Sequence, residues 1–216
     1  MKKTILLFAI ALTISCKNKT ENNKNQPKDS SSIETIIKQQ EKPVSEASVP
    51  EFSLWRHAQT NTDKVQDTFD QNAVYKVSRS DTDKPGYLSI DNIEIYNGSE
   101  YQISAVVKKG DVGSAFGLRI QSVYPNRIDA IFDLERGEVV SSSVTGAELA
   151  DAADTSIEKL ESGWFKCSLR TVFKADQIRV IMGPTDRLKK SQSWESATGD
   201  KNNILIAPKA LKILEY

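Results

Sequence analysis

The stretch Ala115-Phe116-Gly117-Leu118-Arg119-Ile120-Gln121, followed after a short break by Arg127-Ile128-Asp129-Ala130-Ile131-Phe132-Asp133-Leu134, decides the fold class. In the first run Phe116, Leu118 and Ile120 share one side, and Gly117, Arg119 and Gln121 share the other. In the second run Ile128, Ala130, Phe132 and Leu134 oppose Arg127, Asp129 and Asp133. Side chains alternate across a strand, so a two-residue period with one apolar side describes a strand buried on one face. The pattern recurs outward along the chain. Phe165, Cys167 and Leu169 oppose Trp164, Lys166 and Ser168, and Ile178, Val180 and Met182 oppose Arg179. Residues 73–77, 87–90 and 93–96 read as further short strands. Asn97-Gly98 separates the apolar runs 93–96 and 101–107, and both residues accept the positive φ of a tight turn. Helical periodicity is weak apart from 146–153. The expected fold is all-β, an antiparallel β-sandwich over residues 51–216.

The N-terminus has a different texture. Lys2 and Lys3 precede a short apolar run at 5–14, too short to span a bilayer as a helix. That run ends in Leu12-Thr13-Ile14-Ser15-Cys16, which resembles the lipobox of bacterial lipoproteins, with Thr13 where many members carry Leu. The resemblance implies a signal peptide over 1–15, a lipidated Cys16 and attachment to a membrane through acyl chains. Lys17 supplies no obvious inner-membrane retention signal, which favours the outer membrane. Residues 17–50 are rich in Lys, Asn, Gln, Ser, Glu and Pro and contain no aromatic side chain, so they read as a flexible linker with a faint helical period at 33–40.

Composition narrows the remaining classes. The 216 residues are 38% hydrophobic and 27% charged, with 29 basic and 29 acidic side chains. Removal of Lys2 and Lys3 would leave a slightly acidic protein, unsuited to nucleic acid, whose backbone demands a concentrated basic field. Beyond Cys16 only Cys167 remains, so no intrachain disulfide framework is available, and its place on an apolar strand face reads as core packing.

Three stretches carry a family resemblance. Residues 101–110, YQISAVVKKG, are similar to a YTFSVYVKAG strand. Residues 130–140, AIFDLERGEVV, resemble an AVFDLxTGxVV hairpin, and 156–168, SIEKLESGWFKCS, resemble ASIExxGNGWYRCS. These motifs belong to galactose-binding-like jelly rolls found in phage tail and fibre proteins and beside carbohydrate-active enzymes. The likeness covers residues 87–216 and implies a jelly roll that binds glycan. The motif residues themselves read as architectural, with Trp164 expected over one end of the sandwich. Pro208 interrupts the closing strand, which suggests an edge or a bulge.

Enzymatic signatures are sparse. His57 is the one histidine, which excludes a multi-histidine zinc site, and its reading is a surface or capping role. No Gly-x-Ser-x-Gly elbow or phosphate-binding glycine loop occurs. Sugar binding needs an aromatic face for the apolar side of a pyranose and polar groups for its hydroxyls. Trp194, in the polar loop 189–203, and Tyr124, at a loop tip, are the aromatic candidates, while Trp55 reads as packing. Arg119, Arg170 and Arg179 would form a basic stripe if their strands were neighbours, with Arg127 beside them, and such a stripe would suit an acidic polysaccharide. No cofactor is expected. Structural calcium at 81–83 or 151–154 is a weaker alternative, because neither segment holds a full set of oxygen ligands. The resulting expectation is a lipid-anchored, non-catalytic glycan-binding module at the cell envelope. A structural or protein-partner-binding subunit comes second, and a polysaccharide-acting enzyme third. Replacement of the acceptor, Cys16→Ser, should abolish labelling by radioactive palmitate and move the protein from the detergent phase to the aqueous phase; continued labelling would reject the lipobox.

Overall fold

The computed structural model describes residues 45–216, so the signal peptide, Cys16, the linker as far as residue 44 and the helical period at 33–40 lie outside the described residues. In chain order the strands are β1 (Ser45–Glu46), β2 (Arg56–Ala58), β3 (Thr60–Phe69), β4 (Asn72–Arg79), β5 (Tyr87–Glu94), β6 (Glu100–Lys109) and β7 (Ala115–Gln121). They continue as β8 (Arg127–Asp133), β9 (Glu138–Thr145), β10 (Asp154–Lys159), β11 (Trp164–Val172), β12 (Gln177–Thr185), β13 (Asn203–Ile206) and β14 (Lys212–Glu215).

Two antiparallel sheets pack as a sandwich. The first runs β2-β5-β12-β7-β8-β9. The second centres on β6, which pairs from Glu100 to Lys108 with β11 and through it with β10. The other edge of β6 is shared: β14 takes Tyr101 to Ser104, and β13 takes Val107 to Lys109 before leading on to β4 and β3. A 3-10 turn at Pro208–Ala210 shifts the chain between these half-edges, so Pro208 does interrupt a strand. Proline suits that place because it has no N–H to contribute to a ladder.

The core is the set of side chains that the alternation puts inward. Phe116, Leu118 and Ile120 of β7, Ile128, Ala130 and Phe132 of β8, and Ile178, Val180 and Met182 of β12 meet Ile103, Ala105, Val107, Phe165, Cys167 and Leu169 of the second sheet. Each large aliphatic or aromatic side chain so buried contributes about 1.5–3 kcal/mol. Asp133 starts the β8–β9 hairpin by accepting backbone N–H bonds from Glu135 and Arg136, and Gly137 closes it at φ 70°.

Several local expectations change. The runs at 87–90 and 93–96 are not separate strands. Leu88, Ile90, Ile93 and Ile95 all enter one core, and the parity shift between 90 and 93 is absorbed by a bulge in β5 opposite Ile178 and Val180. Asn92 takes φ 59° there, and such an extra residue re-aims its neighbours. The Asn97-Gly98 turn passes the chain from one sheet to the other, because β5 pairs with β12 and β6 pairs with β11. Residues 146–153 form no helix: Gly146 is at φ 77°, and Leu149 and Ala150 anchor an irregular loop. Trp164 lies over the outer face of the second sheet with Val74, Val106 and Ala207, rather than over an end. Ser45–Pro50 belongs to the sandwich rather than to the linker. Ser45 and Glu46 pair with β14, Ala47 N–H donates to Ile213, and Trp55 Nε1 donates to Pro50 at 3.0 Å. These bonds engage the 45–50 segment through its own backbone atoms, so its polar composition concealed them.

Burial pushes the Cys167 thiol well above its ordinary value. Only the thiolate alkylates readily. Iodoacetamide should therefore leave Cys167 unmodified in the native protein at mildly alkaline pH and label it fully in denaturant, as read by intact mass; native labelling would contradict its place in the core.

Candidate functional site

The outer face of the first sheet is partly covered by the chain between β12 and β13. Trp194 lies at 0% exposure against Ala115, Ile131 and Ile181. The ring fits because Gly117 has no side chain: a Cβ there would stand 2.2 Å from Trp194 Cδ2. Arg79, from β4 of the opposite sheet and only 1% exposed, donates to the carbonyls of Pro184 at 3.2 Å, Trp194 at 3.3 Å and Glu195 at 3.0 Å. Burial lowers its guanidinium to about 10, and nearby Glu195 opposes that shift. Arg119 fastens the other side of the loop. It donates to Asp129, to Gln192 O at 3.2 Å and to both Glu195 oxygens at 2.8 Å, and its guanidinium stands 5.8 Å from the Trp194 ring. Burial pulls Arg119 down, but Glu195 and Asp129 outweigh it and hold the guanidinium above its ordinary value. Burial also raises the Asp129 carboxyl, against the pull of Arg119 and Arg127.

Trp194 and Arg119 are thus packing and clamping residues. The indole N–H of Trp194 has no hydrogen-bond acceptor among the described residues. A sugar could reach this ring only if the loop lifted.

The basic stripe does not form. Arg119 and Arg179 lie on the first sheet, but Arg170 lies on β11 of the second, paired with Glu100 at 2.7 Å and 4.3 Å from the Tyr216 ring. The bond from Arg170 holds Glu100 below the usual carboxylate range. Arg127 pairs with Asp129 at 3.0 Å, and Arg179 pairs with Asp91 at 2.5 Å and donates to Ser89 Oγ at 3.1 Å. Every arginine of the expected stripe therefore meets a carboxylate, with Arg119 and Arg127 sharing Asp129.

One end of this face stays open. Arg127, Gln121 and Arg179 are register neighbours across β8, β7 and β12, and the β5 bulge continues the row. Here a cleft of about 670 Å³ is lined by Arg56, Asp91, Asn92, Gln121, Asp176 and Arg179, among others. Among the described residues neither Arg56 nor Gln121 has a side-chain hydrogen bond, so their donors face outward unspent. The 122–126 loop walls the cleft. Buried Asn126 bonds Val123 O and Glu148 Oε2, each at 3.0 Å, and holds the loop in shape. Val123 and Tyr124 are left 79% and 74% exposed, with the Arg127 guanidinium 5.8 Å from the Tyr124 ring. Of the sequence candidates only Arg179 lines this cleft; Tyr124 and Arg127 lie next to its Val123 wall and its Gln121 side, and Trp194, Arg119 and Arg170 lie apart from it. Arg56, Asp91, Asn92 and Asp176 were not anticipated. The parity break at 90–93 was the available signal for two of them.

The other candidates have structural surroundings. His57 is exposed on β2 with the Phe52 ring 5.5 Å away, and partial burial lowers its pKa. Asp81 pairs with Lys84 at 3.3 Å and Asp151 with Lys174 at 2.5 Å. No three His, Cys, Asp or Glu side chains converge to hold a metal among the described residues.

Two substitutions separate the packing role of Trp194 from a ligand role. Trp194→Ala should cost about 3–5 kcal/mol through the cavity it leaves. Trp194→Phe keeps most of the cover and removes an unpaired N–H, so its cost should stay below about 1.5 kcal/mol. Urea unfolding measures both, and equal losses would contradict this account. No family model matches the chain, and no curated protein sequence matches it.

Proposed function

We propose that this chain is a lipid-anchored, non-catalytic carbohydrate-binding module of the galactose-binding-like jelly-roll type, held at a bacterial envelope through Cys16 and displayed beyond its linker. The observation that carries the reading is the open cleft beside Tyr124. Its lining, which includes Arg56, Asp91, Gln121 and Arg179, both donates and accepts, and the exposed Tyr124 ring lies one residue past the lining Val123. A pyranose presents an apolar face and a rim of hydroxyls, so it calls for that combination. Largely pre-formed concave sites with few polar groups are the usual form of small-ligand sites. The Asn126 bonds pre-order the Tyr124 loop, so little conformational freedom is lost when a ligand docks. Asp91 and Arg179 add a paired acceptor and donor at the bulge. The outer membrane is the proposed location, following the lipobox and Lys17.

The test is a glycan array probed with the unacylated mature chain, followed by titration of the best ligand. Tyr124→Ala and Arg179→Ala should each weaken binding about tenfold, equivalent to 1.4 kcal/mol. Trp194→Phe should leave affinity unchanged. Absence of binding across a broad array would reject the reading in favour of a protein partner.

A further inference from the structure

The cleft beside Tyr124 is half of a longer feature. A second cleft, of about 1030 Å³, runs on from it between the segment at 45–50 and the bulged end of β5. The two share Asp91, Asn92, Asp176 and Gln177 as lining residues. At its far end stands Tyr96, 70% exposed at the β5–β6 turn. Exposure there is a property of the ring alone, since the Tyr96 backbone N–H is fixed to the Tyr101 hydroxyl at 3.1 Å. Tyr96 thus lines the second cleft, the exposed Tyr124 follows the Val123 wall of the first, and the shared bulge residues join the two. Each cleft is near the size or larger than that which holds one drug-sized ligand, so the pair exceeds what a single sugar needs.

The charges are distributed unevenly. In the first half Arg179 is paired with Asp91, Lys174 is paired with Asp151 from outside the lining, and Asp176 and Glu148 face the same space as Arg56. In the second half the lining holds Glu46, Asp91, Glu94 and Asp176 and no lysine or arginine; Lys212 and Arg179 pair with Glu46 and Asp91 from outside it, and Glu94 and Asp176 remain as unpaired acceptors among the described residues. Carboxylates accept hydrogen bonds from hydroxyls and repel other anions.

We propose that the two clefts form one groove that binds an internal run of a neutral glycan chain, several units long, rather than a single terminal sugar or an acidic polysaccharide. The proposal rests on the glycan reading above and gives it a length and a charge class. One unit stacks at Tyr124, further units cross the Asp91–Asn92 bulge, and the chain leaves past Tyr96. Hydroxyls meet the carboxylates and the free donors of Arg56 and Gln121.

The experiment is calorimetric titration of the full acylated chain, in a detergent without a sugar headgroup. The ligand series runs from monosaccharide to hexasaccharide of the neutral glycan best bound on the array, and a uronate-containing chain is titrated in parallel. Affinity should rise at least tenfold along the neutral series, stay unchanged between low and high salt, and be weaker for the uronate chain. Tyr96→Ala should weaken the hexasaccharide several-fold and leave the shortest binders unaffected, with a melting temperature equal to that of the parent. Affinity independent of length, Tyr96→Ala without effect on the longest ligand, or a salt-sensitive preference for uronate would each overturn the groove while leaving glycan binding standing. Failure of every chain to bind would remove both.

Discussion

The packing of Trp194 on Gly117 is the constraint on which the working surface depends. A sandwich of this kind has two outer faces, and either could in principle meet a ligand. On the first sheet the choice is made by one ring lying where a glycine leaves room, with Arg79 reaching from the other sheet to hold the backbone of the covering loop. Arg79 sits among carbonyl oxygens with little carboxylate compensation, so its burial carries a real cost, visible in its depressed pKa. That cost is offset in part by the charge-assisted bonds it donates to the carbonyls of Pro184, Lys84, Trp194 and Glu195. Arg119 then ties the loop to the sheet through Asp129 and Glu195, an ion network whose value lies more in fixing geometry than in net stability. The covered part of the face becomes a second small core, and only the end beyond Arg119 meets solvent as a cleft.

Much of the framework was legible because alternation is a direct imprint of the pleat. In β7, β8, β11 and β12 the inward residues are the ones the sequence places on the apolar side. Interruptions in that pattern were informative too. The step from Ile90 to Ile93 breaks parity, and it marks the bulge that brings Asp91 and Asn92 to the groove. Pro208 likewise marks the shift between two strands that share one edge of β6.

What stayed hidden depends on pairing between distant segments. Trp194 sits in a polar loop, and nothing local reveals that Gly117, 77 positions earlier, offers it a flat seat. The arginine stripe failed because strand neighbours follow topology: Arg170 belongs to the opposite sheet, and its three counterparts each meet a carboxylate. Residues 45–50 looked like more linker because an edge strand joined through backbone bonds needs no hydrophobic signature. The same pairing sets one wall of the groove, so a segment that composition assigns to the tether contributes to the surface that would meet a ligand.

The division of the first sheet into a sealed part and an open end is tested most directly by ¹H–¹⁵N NMR during titration with a neutral oligosaccharide. The account predicts shifts at the backbone amides of Asn92, Gln121 and Tyr124, with the Trp194 indole resonance unmoved and slow to exchange with solvent. Movement of that indole signal on ligand addition, with the Asn92 and Gln121 amides unchanged, would contradict it.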